Sequence, residues 1–497
     1  MELNNKGKIK IIDLININFN TIIFLFSEII ALIAFIQRNN IRSGLELLYL
    51  LPLIFGICMI VSTGYNSYLK GGIAIKIYLV IMIIRYVCVP LLIIMTQGKY
   101  NASPITMPMI SVSRNGYQYS ILVSIIDLIV SFTCIYVFNK SLQKNKRKES
   151  YSNYKCNTGI SIFGIIGLLV LIFFLLTRDL KQVFSLFTFF TINEKYENPS
   201  IDAFGILTIS TIKMFIFIRI TTMCSNKYNK SKNSIWVIIA IITGFLNMSI
   251  FFGYNRSFVL QTGIATIYIL YTSFPKYRKI LAGIMIPLCS LIVISMIFIK
   301  QFGVSYTDTT ISEQLNLPEL ANTIECYVGG PWSLGSGYDA YMDNSNFNPV
   351  SIFLKDFIHN NFISYMPGLE FSLDLFPNTI SSPIVHQIYT KSYQMIPLSS
   401  NTLFYGGKIF GIVISITFNI IFMKILVTYD YKSKWSRDIS KKYIYTLIAI
   451  LFSFTMCYTW VTLLWSFTKN MLFISLLIYI NQYHFERPGK IKYIKTI

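Results

Sequence analysis

Long runs of apolar residues recur along the whole chain, each about 18–24 residues in length and separated from the next by a polar connection. A run of this length crosses the hydrocarbon core of a bilayer as a helix. A helix also pairs its backbone N–H and C=O groups within one segment, as lipid requires. We predict an all-α polytopic membrane protein with about twelve transmembrane helices, at residues 19–36, 45–63, 73–97, 118–139, 158–176, 204–223, 234–252, 257–274, 280–299, 402–425, 443–460 and 462–481.

One connection is much longer than the others and divides the predicted spans nine and three. It runs from Lys300 to Asn401 and contains nine acidic residues against three Lys or Arg. Its aromatic and aliphatic content disfavours disorder. The predicted organisation is therefore transmembrane helices 1–9 in residues 1–299, an ordered extracytoplasmic cap loop with amphipathic helices and active-site segments in 300–401, and transmembrane helices 10–12 with a cytoplasmic tail in 402–497.

The distribution of the basic residues, which give the chain its net charge of +21, indicates the orientation of these spans. Alternate connections hold 25 of the 43 Lys and Arg residues, the opposite connections hold 11 and the spans hold 7. Because basic residues accumulate on the cytoplasmic side of a membrane protein, we predict that both termini are cytoplasmic and that the cap loop is external. The positive charge therefore requires no nucleic-acid partner.

The chain offers few ligands for a metal ion. It has three histidines and eight scattered cysteines, and no two cysteines form a Cys-x-x-Cys pair. Structural zinc sites are built from closely spaced ligands of these types. We predict neither a metal site nor another cofactor.

Two charged residues lie near the middle of neighbouring predicted spans, Arg85 in the third and Asp127 in the fourth. A charged side chain inside a membrane is costly unless it is paired. Antiparallel neighbouring helices place these two residues at a similar depth. We predict a buried structural ion pair between them.

Four cations are predicted towards the outer ends of spans. Arg256 opens the eighth span, Lys300 closes the ninth, Lys408 enters the tenth and Lys469 lies in the twelfth. Together they suit an anionic headgroup, such as a lipid diphosphate that enters from the outer leaflet. Each of them alone is more typical of an anchor at the membrane interface.

The cap loop contains the segment ECYVGGPWSLGSGYDAY at 325–341. Its paired glycines let the backbone approach a ligand closely, and its proline begins a predicted helix whose free N–H groups would face an anion. Its aromatic rings are of the kind that stacks on sugars. The candidate substrate-binding residues here are Tyr327, Gly330, Pro331, Trp332, Tyr338 and Asp339. A glycine-rich turn before a packed helix is the structural alternative.

A second helix is predicted further along the cap loop. Asn348 is a typical N-cap and Pro349 a typical first helical residue. Apolar residues then follow at helical spacing, and Asp356 and His359 share the opposite face with Lys355. We expect an amphipathic helix on the surface of the bundle, with these polar residues on its exposed face.

Three segments within residues 250–425 resemble those of the bacterial O-antigen and capsule repeat-unit polymerases (Wzy type). They are GYNRSFVL around Arg256, CYVGGPWSLGSGYDAY in place of the family's aromatic-small-Gly-Pro segment, and SSNTLFYGGKIFG, which contains Asn401. Their order, with one large external loop late in a many-span chain, strengthens the likeness. The chain departs from the family pattern at Lys408, near which an acidic residue often stands.

The resemblance implies a metal-independent membrane glycosyltransferase in the bacterial cytoplasmic membrane. Such an enzyme transfers a growing glycan from its polyprenyl diphosphate to the sugar of a lipid-linked repeat unit at the outer face. The implied partners are the polyprenyl-diphosphate-linked oligosaccharide and the lipid bilayer, together with a chain-length regulator and a flippase.

This reaction requires cations that stabilise the departing diphosphate and a base near the acceptor hydroxyl. We assign the first role to Arg256 and the second to His359, which Asp356 would orient from one turn earlier. The rival bases are His386, Glu325 and Asp339, and the remaining predicted substrate-binding residues are Lys300, Lys408 and Asn401.

Two other functions remain open. An O-antigen ligase, which moves a finished glycan to another acceptor, has similar topology and similar chemical needs. A twelve-span lipid-sugar flippase or transporter belongs to a different class. Transporters usually show two related halves, and the division of the spans into nine and three disfavours that reading.

Overall fold

The computed structural model of the protein describes residues 5–63, 71–98, 111–145, 199–250, 256–302, 317–343, 348–361, 382, 385–386, 396–467, 471 and 474–475. These residues are helical or form short connections, and they contain no β-strand. For some of the helical residues, among them Arg256, Lys300 and His359, the structure describes the backbone alone. The predicted all-α fold class is confirmed for this part of the chain.

Sixteen α-helices fall within the described residues. In chain order they are α1 (Asn5–Ile36), α2 (Leu50–Thr63), α3 (Ile73–Ile83), α4 (Val89–Met95), α5 (Arg114–Asn145), α6 (Pro199–Ser231), α7 (Ile235–Ser249), α8 (Arg256–Ser273), α9 (Arg278–Phe302), α10 (Leu317–Val328), α11 (Pro331–Asp343), α12 (Pro349–Asn361), α13 (Leu398–Asn401), α14 (Leu403–Trp435), α15 (Ile439–Phe452) and α16 (Trp460–Phe467). A π-helical turn, Ile84–Cys88, joins α3 to α4.

Three helical stretches are long and apolar enough to cross a membrane: Ile73–Met95, Arg114–Leu142 and Leu403–Trp435. Shorter apolar helices lie at Thr21–Ile36, Leu50–Val61 and Ile235–Ser249. Large apolar side chains cover the outer faces of several of them, and Ile409 and Phe410 are 76% and 72% exposed. A surface of this kind needs lipid around it, so the chain is a membrane protein. The predicted count of twelve spans stays a prediction, because the span at 158–176 lies outside the described residues.

The π-helical turn has a local cause in Pro90. A proline inside a helix lacks an N–H and its ring clashes with the preceding turn. The wider π turn directly before α4 accommodates this proline inside the 23-residue span Ile73–Met95. Arg85 lies in the π turn, half-way along the span.

Two hydrogen-bonded carboxylates mark the two ends of the bundle. At one end, Asp430 near the end of α14 accepts the backbone N–H groups of Gly72 (2.6 Å) and Ala74 (3.0 Å) at the start of α3. At the other end, Asp339 of α11 accepts the N–H of Ser113 (2.7 Å), just before α5. We call these the Gly72 end and the Ser113 end. The topology prediction makes the Ser113 end external.

Helices α10 and α11 form a hairpin, residues 317–343, that enters the bundle from the Ser113 end. α10 packs along α4 and the π turn, and α11 returns along α5. A Cβ added at Gly329, in the turn between them, would lie 3.1 Å from the carbonyl oxygen of Met456, which itself binds Arg85. The tip of this re-entrant hairpin therefore reaches half-way into the bundle, a depth that the prediction of an external cap did not include.

Helix α12 begins at the predicted residues, but the side of the helix that is buried differs from the prediction. Asn348 caps its N-terminus, since the side-chain oxygen of Asn348 accepts the N–H of Val350 at 3.0 Å. Asp356, expected on the exposed polar face, is instead fully buried, whereas the apolar Val350 is exposed. The prediction of the exposed face was wrong, because α12 packs against both α14 and α16 and turns its Ile352–Asp356 side inward.

Candidate functional site

The short helix α13 lies where the cap loop meets the bundle, and its four residues are all buried. Ser399 lies within hydrogen-bonding reach of the Asp127 side chain in α5. Ser400 donates its hydroxyl to the carbonyl oxygen of Leu334 in α11 (3.0 Å). α14 is interrupted at Gly407 (φ 66°), where the chain turns sharply. Gly411 consequently packs on Leu403, since a Cβ added at Gly411 would lie 3.0 Å from Leu403 Cα.

Asn401, the last residue of α13, belongs to a hydrogen-bond network centred on Asp356. The Asp356 carboxylate accepts the backbone N–H of Ser382 (3.1 Å), the Ser382 hydroxyl (2.5 Å) and the Tyr405 hydroxyl. The Asn401 amide Nδ2 donates to the same two hydroxyl oxygens, at 2.5 Å on Ser382 and 3.0 Å on Tyr405. We call this set, with Trp460, the Asp356 network.

The direction of these hydrogen bonds follows from the carboxylate. Each hydroxyl uses its single hydrogen on Asp356, so its oxygen accepts from the amide nitrogen of Asn401. The amide oxygen of Asn401 lies 3.3 Å from the Tyr405 oxygen, whose hydrogen is already given to Asp356, and it keeps its capacity to accept. Trp460 Nε1 also donates to the Tyr405 hydroxyl (3.0 Å). Asp356 therefore sets the orientation of the Asn401 side chain.

The Asp356 carboxyl has an unusual titration. Burial raises its pKa to about 6, although the hydrogen bonds from Ser382, Tyr405 and Asn401 favour the ionised form and partly oppose the effect. α12 lies outside the membrane-spanning stretches. A buried carboxyl with a pKa near the working pH is typical of functional sites.

Aromatic rings hold the network against the bundle. The Trp460 ring stacks on Phe353 of α12 and on Phe418 of α14, each with ring centroids 5.4 Å apart. Trp460 itself is buried. The stack positions the indole N–H beside Tyr405 and joins α12, α14 and α16.

The N-terminus of α11 is occupied by the carboxylate of Glu325. The Glu325 carboxylate accepts the backbone N–H of Trp332, and the N–H of Leu334 donates to the carbonyl of Gly330. Gly330, Pro331 and Trp332 are all buried. Trp332 therefore presents no exposed face to a sugar in this structure, and the substrate-binding role of the segment stays a prediction. The structural alternative, a glycine turn before a packed helix, describes the segment.

The rest of α11 also packs against the bundle. Tyr338 is buried against Tyr119 of α5, with ring centroids 4.8 Å apart. Asp339 accepts the hydroxyl of Ser113 (2.5 Å) in addition to its N–H. Burial raises the pKa of Asp339, and the two hydrogen bonds from Ser113 oppose that rise. Asp339 is thus engaged in docking the hairpin and is not presented as a base.

Two predicted substrate-binding residues remain on the surface. Lys408, next to the break at Gly407, is exposed, and its ammonium lies 5.2 Å from the centre of the Tyr338 ring. Tyr327, near the tip of the hairpin, is also exposed. Lys408 thus lies beside α11, and Tyr327 lies near the end of α10.

His386, one of the rival bases, is buried beside α11. Its Nε2 lies 3.0 Å from the hydroxyl oxygen of Ser336. A buried imidazole bonded to a serine is a known arrangement for activating a hydroxyl group. The structure brings these two residues together where the hairpin meets the rest of the cap loop.

The predicted ion pair between Arg85 and Asp127 is not formed. Both residues are buried, but Arg85 donates Nη1 to the carbonyl of Met456 (2.7 Å) and Asp127 lies towards Ser399. Arg114 does form an ion pair with Glu46, at 3.2 Å. Met456 lies in the irregular connection after α15, and its carbonyl oxygen binds Arg85 in place of Asp127.

For three predicted site residues the structure describes the backbone but not the side chain. Arg256 begins α8, Lys300 lies near the end of α9, and His359 lies near the end of α12. Lys469 lies outside the described residues. The cluster of outward cations and the base at His359 therefore remain predictions.

Sequence reasoning named Asp356 and Asn401 but missed Ser382, Tyr405 and Trp460. These three residues are far apart along the chain and share no motif, so no local signal joins them. A buried carboxylate surrounded by hydrogen-bond donors becomes visible only when α12, α13, α14 and α16 are packed together.

No protein-family model, curated protein or solved structure matches the chain.

Proposed function

We propose that the protein polymerises lipid-linked oligosaccharide repeat units. It would transfer a glycan from its polyprenyl diphosphate to the sugar of a second lipid-linked unit at the outer face of the membrane. The observation that carries the proposal is the Asp356 network, a buried and directed set of polar groups where the long cap loop meets a membrane bundle. It includes Asn401 of the segment SSNTLFYGGKIFG, which resembles the polymerase family.

The network supplies one element of the chemistry. Because Asp356 takes the hydrogens of both hydroxyls, the amide oxygen of Asn401 retains the capacity to accept a sugar hydroxyl. Such preorganised groups hold a reacting hydroxyl at small entropic cost. Arg256 is proposed to stabilise the departing diphosphate and His359 to take the proton of the acceptor hydroxyl. The Asp356 carboxylate accepts hydrogen bonds from Ser382 and Tyr405. Its proposed role is therefore to orient Asn401, and not to orient His359.

The experiment is deletion of the gene in its native host, followed by gel analysis of the surface polysaccharide. A polymerase deletion leaves single repeat units attached to their final acceptor, and the ladder of longer chains disappears. Complementation with Asn401→Asp, which cannot donate to Ser382 or Tyr405, should restore the ladder poorly at matched protein level. Asn233→Asp, at an exposed position between α6 and α7, is the matched control.

A second candidate function is a flippase or transporter for a lipid-linked sugar. The re-entrant hairpin favours it, because helices that end inside the membrane mark the binding sites of many transporters. The same deletion distinguishes the functions. Loss of a flippase retains lipid-linked repeat units on the cytoplasmic side, and loss of a ligase leaves long chains that are not attached to their acceptor.

A further inference from the structure

Arg85 is buried in the middle of the bundle with most of its hydrogen-bonding capacity unused. Its side chain is 1% exposed, and Nη1 donates to the Met456 carbonyl at 2.7 Å. Nε and Nη2 have no hydrogen-bond partner among the described residues. A buried guanidinium with unpaired donors is costly, since each unsatisfied group has lost water without replacement.

The two unused nitrogens form one edge of the guanidinium. Nε–H and one Nη2–H point in parallel and match the two oxygens of a carboxylate or a phosphate. Asp127 is buried close enough to Arg85 to interact with it electrostatically, but the two residues do not form an ion pair. This edge therefore offers two parallel N–H donors that no oxyanion among the described residues accepts. The Asp127 carboxylate lies towards Ser399 instead.

The backbone around Arg85 is irregular on three sides. Arg85 itself lies in the π turn 84–88, residues 453–459 connect α15 to α16 without a regular helix, and the hairpin turns at Gly329 (φ 65°). Inside a membrane bundle, non-helical backbone is found where it is buried in protein or lines a site. π turns likewise occur frequently at functional positions.

The tip of the hairpin covers this region. A Cβ at Gly329 would lie 2.7 Å from the Pro397 ring and 3.1 Å from the Met456 oxygen, so the turn packs directly on the carbonyl that holds Arg85. A group that binds beside the Met456 carbonyl would have to displace this turn. The hairpin is thus the closure of the region around Arg85 in the present state.

We propose that the Nε–Nη2 edge of Arg85 binds a phosphate or diphosphate group inside the bundle, with the α10–α11 turn closing over it. Asp127 opposes the bound charge and weakens the site. The inference rests on the proposed function only for the choice of a lipid-linked probe. The group bound is either the headgroup of a lipid diphosphate or a free phosphate anion.

The test is thermal unfolding of the purified full-length protein in detergent, titrated with inorganic pyrophosphate and, separately, with farnesyl diphosphate at constant ionic strength. We expect a saturable rise in Tm. Arg85→Lys keeps the charge but loses the fork, and should weaken the apparent affinity at least tenfold. Asp127→Asn should tighten it severalfold. Arg114→Lys is the matched control, since Arg114 is mostly exposed and pairs with Glu46 at the surface.

Each outcome decides the proposal. A rise with both probes supports a lipid headgroup, and a rise with pyrophosphate alone supports a free anion. No saturable rise in the native protein and in Asp127→Asn overturns the site, as does an equal rise in Arg85→Lys. Should Arg85→Lys fail to fold, the comparison of the native protein with Asp127→Asn still decides it. Binding requires no polymerisation, so this result and that of the gene deletion are independent.

Discussion

The carboxylate of Glu325 accepts the backbone N–H of Trp332, and the two residues hold the re-entrant hairpin closed at its tip. The carboxylate lies at the N-terminus of α11, where a negative charge is favoured by the helix dipole. The helix end that the sequence offers to a ligand is thus occupied by a side chain of the same hairpin. Hairpin geometry should therefore be sensitive to small changes between Glu325 and Trp332.

Gly330→Ala should destabilise the protein through this contact. The added Cβ would lie 2.4 Å from Glu325 Cγ, so the carboxylate must leave the helix end or the turn must shift. We expect a loss of about 1–3 kcal/mol, the usual range for overpacking, measured as the free energy of unfolding in detergent. Gly283→Ala in α9 is the control, because no atom lies within 4 Å of its new Cβ. Equal stability of the two variants would contradict the packing described for the turn.

Asp356 should make stability depend on pH. Its pKa rises from 3.8 to about 6 on folding, so between these values the native protein binds more protons than the unfolded chain. Its contribution to the free energy of unfolding therefore falls as the pH rises through this window, by roughly 3 kcal/mol in total. Asp356→Asn should remove this part of the pH dependence in chemical denaturation between about pH 4 and pH 7. The exposed Asp343→Asn is the control, and an unchanged slope in Asp356→Asn would show that the carboxyl titrates normally.

Arg256→Ala should abolish nearly all polymerisation if Arg256 contacts the donor diphosphate. Removal of a preorganised electrostatic contact of this kind costs about 3–4 kcal/mol of transition-state stabilisation, or roughly two to three orders of magnitude in rate. Arg256→Lys should also lose much of the activity, since lysine cannot hold two phosphate oxygens in a planar fork. The readout is the polysaccharide ladder in cells at matched protein level. A near-normal ladder from Arg256→Ala would move the assignment to Lys300 or Lys408.

The predicted orientation is tested by labelling cysteines at the two ends of the bundle. Met342 at the Ser113 end and Trp435 at the Gly72 end are 42% and 43% exposed. A membrane-impermeant thiol reagent should reach Met342→Cys in intact cells and Trp435→Cys only after lysis, with labelling of the unmodified protein as background. The reverse pattern would place the cap loop in the cytoplasm and remove the basis for external chemistry.

The sequence by itself determined the class of the protein and much of its helical structure. Apolar run length and capping residues act within one segment, so they locate helices without knowledge of the fold. Asn348 and Pro349 begin α12, and Pro331 begins α11, where the sequence predicts them. Arg85 and Asp127 lie in predicted spans, and both are buried.

Only the tertiary structure decided which groups meet. Asp356 was expected on an exposed face and lies in the centre of a network, and Arg85 binds the Met456 carbonyl in place of Asp127. These outcomes depend on the break at Gly407 in α14, on the break after α15 and on how four helices pack around them. A hydrophobic pattern gives the spacing of residues along their own helix, whereas a hydrogen bond depends on atoms that distant parts of the chain bring within about 3 Å.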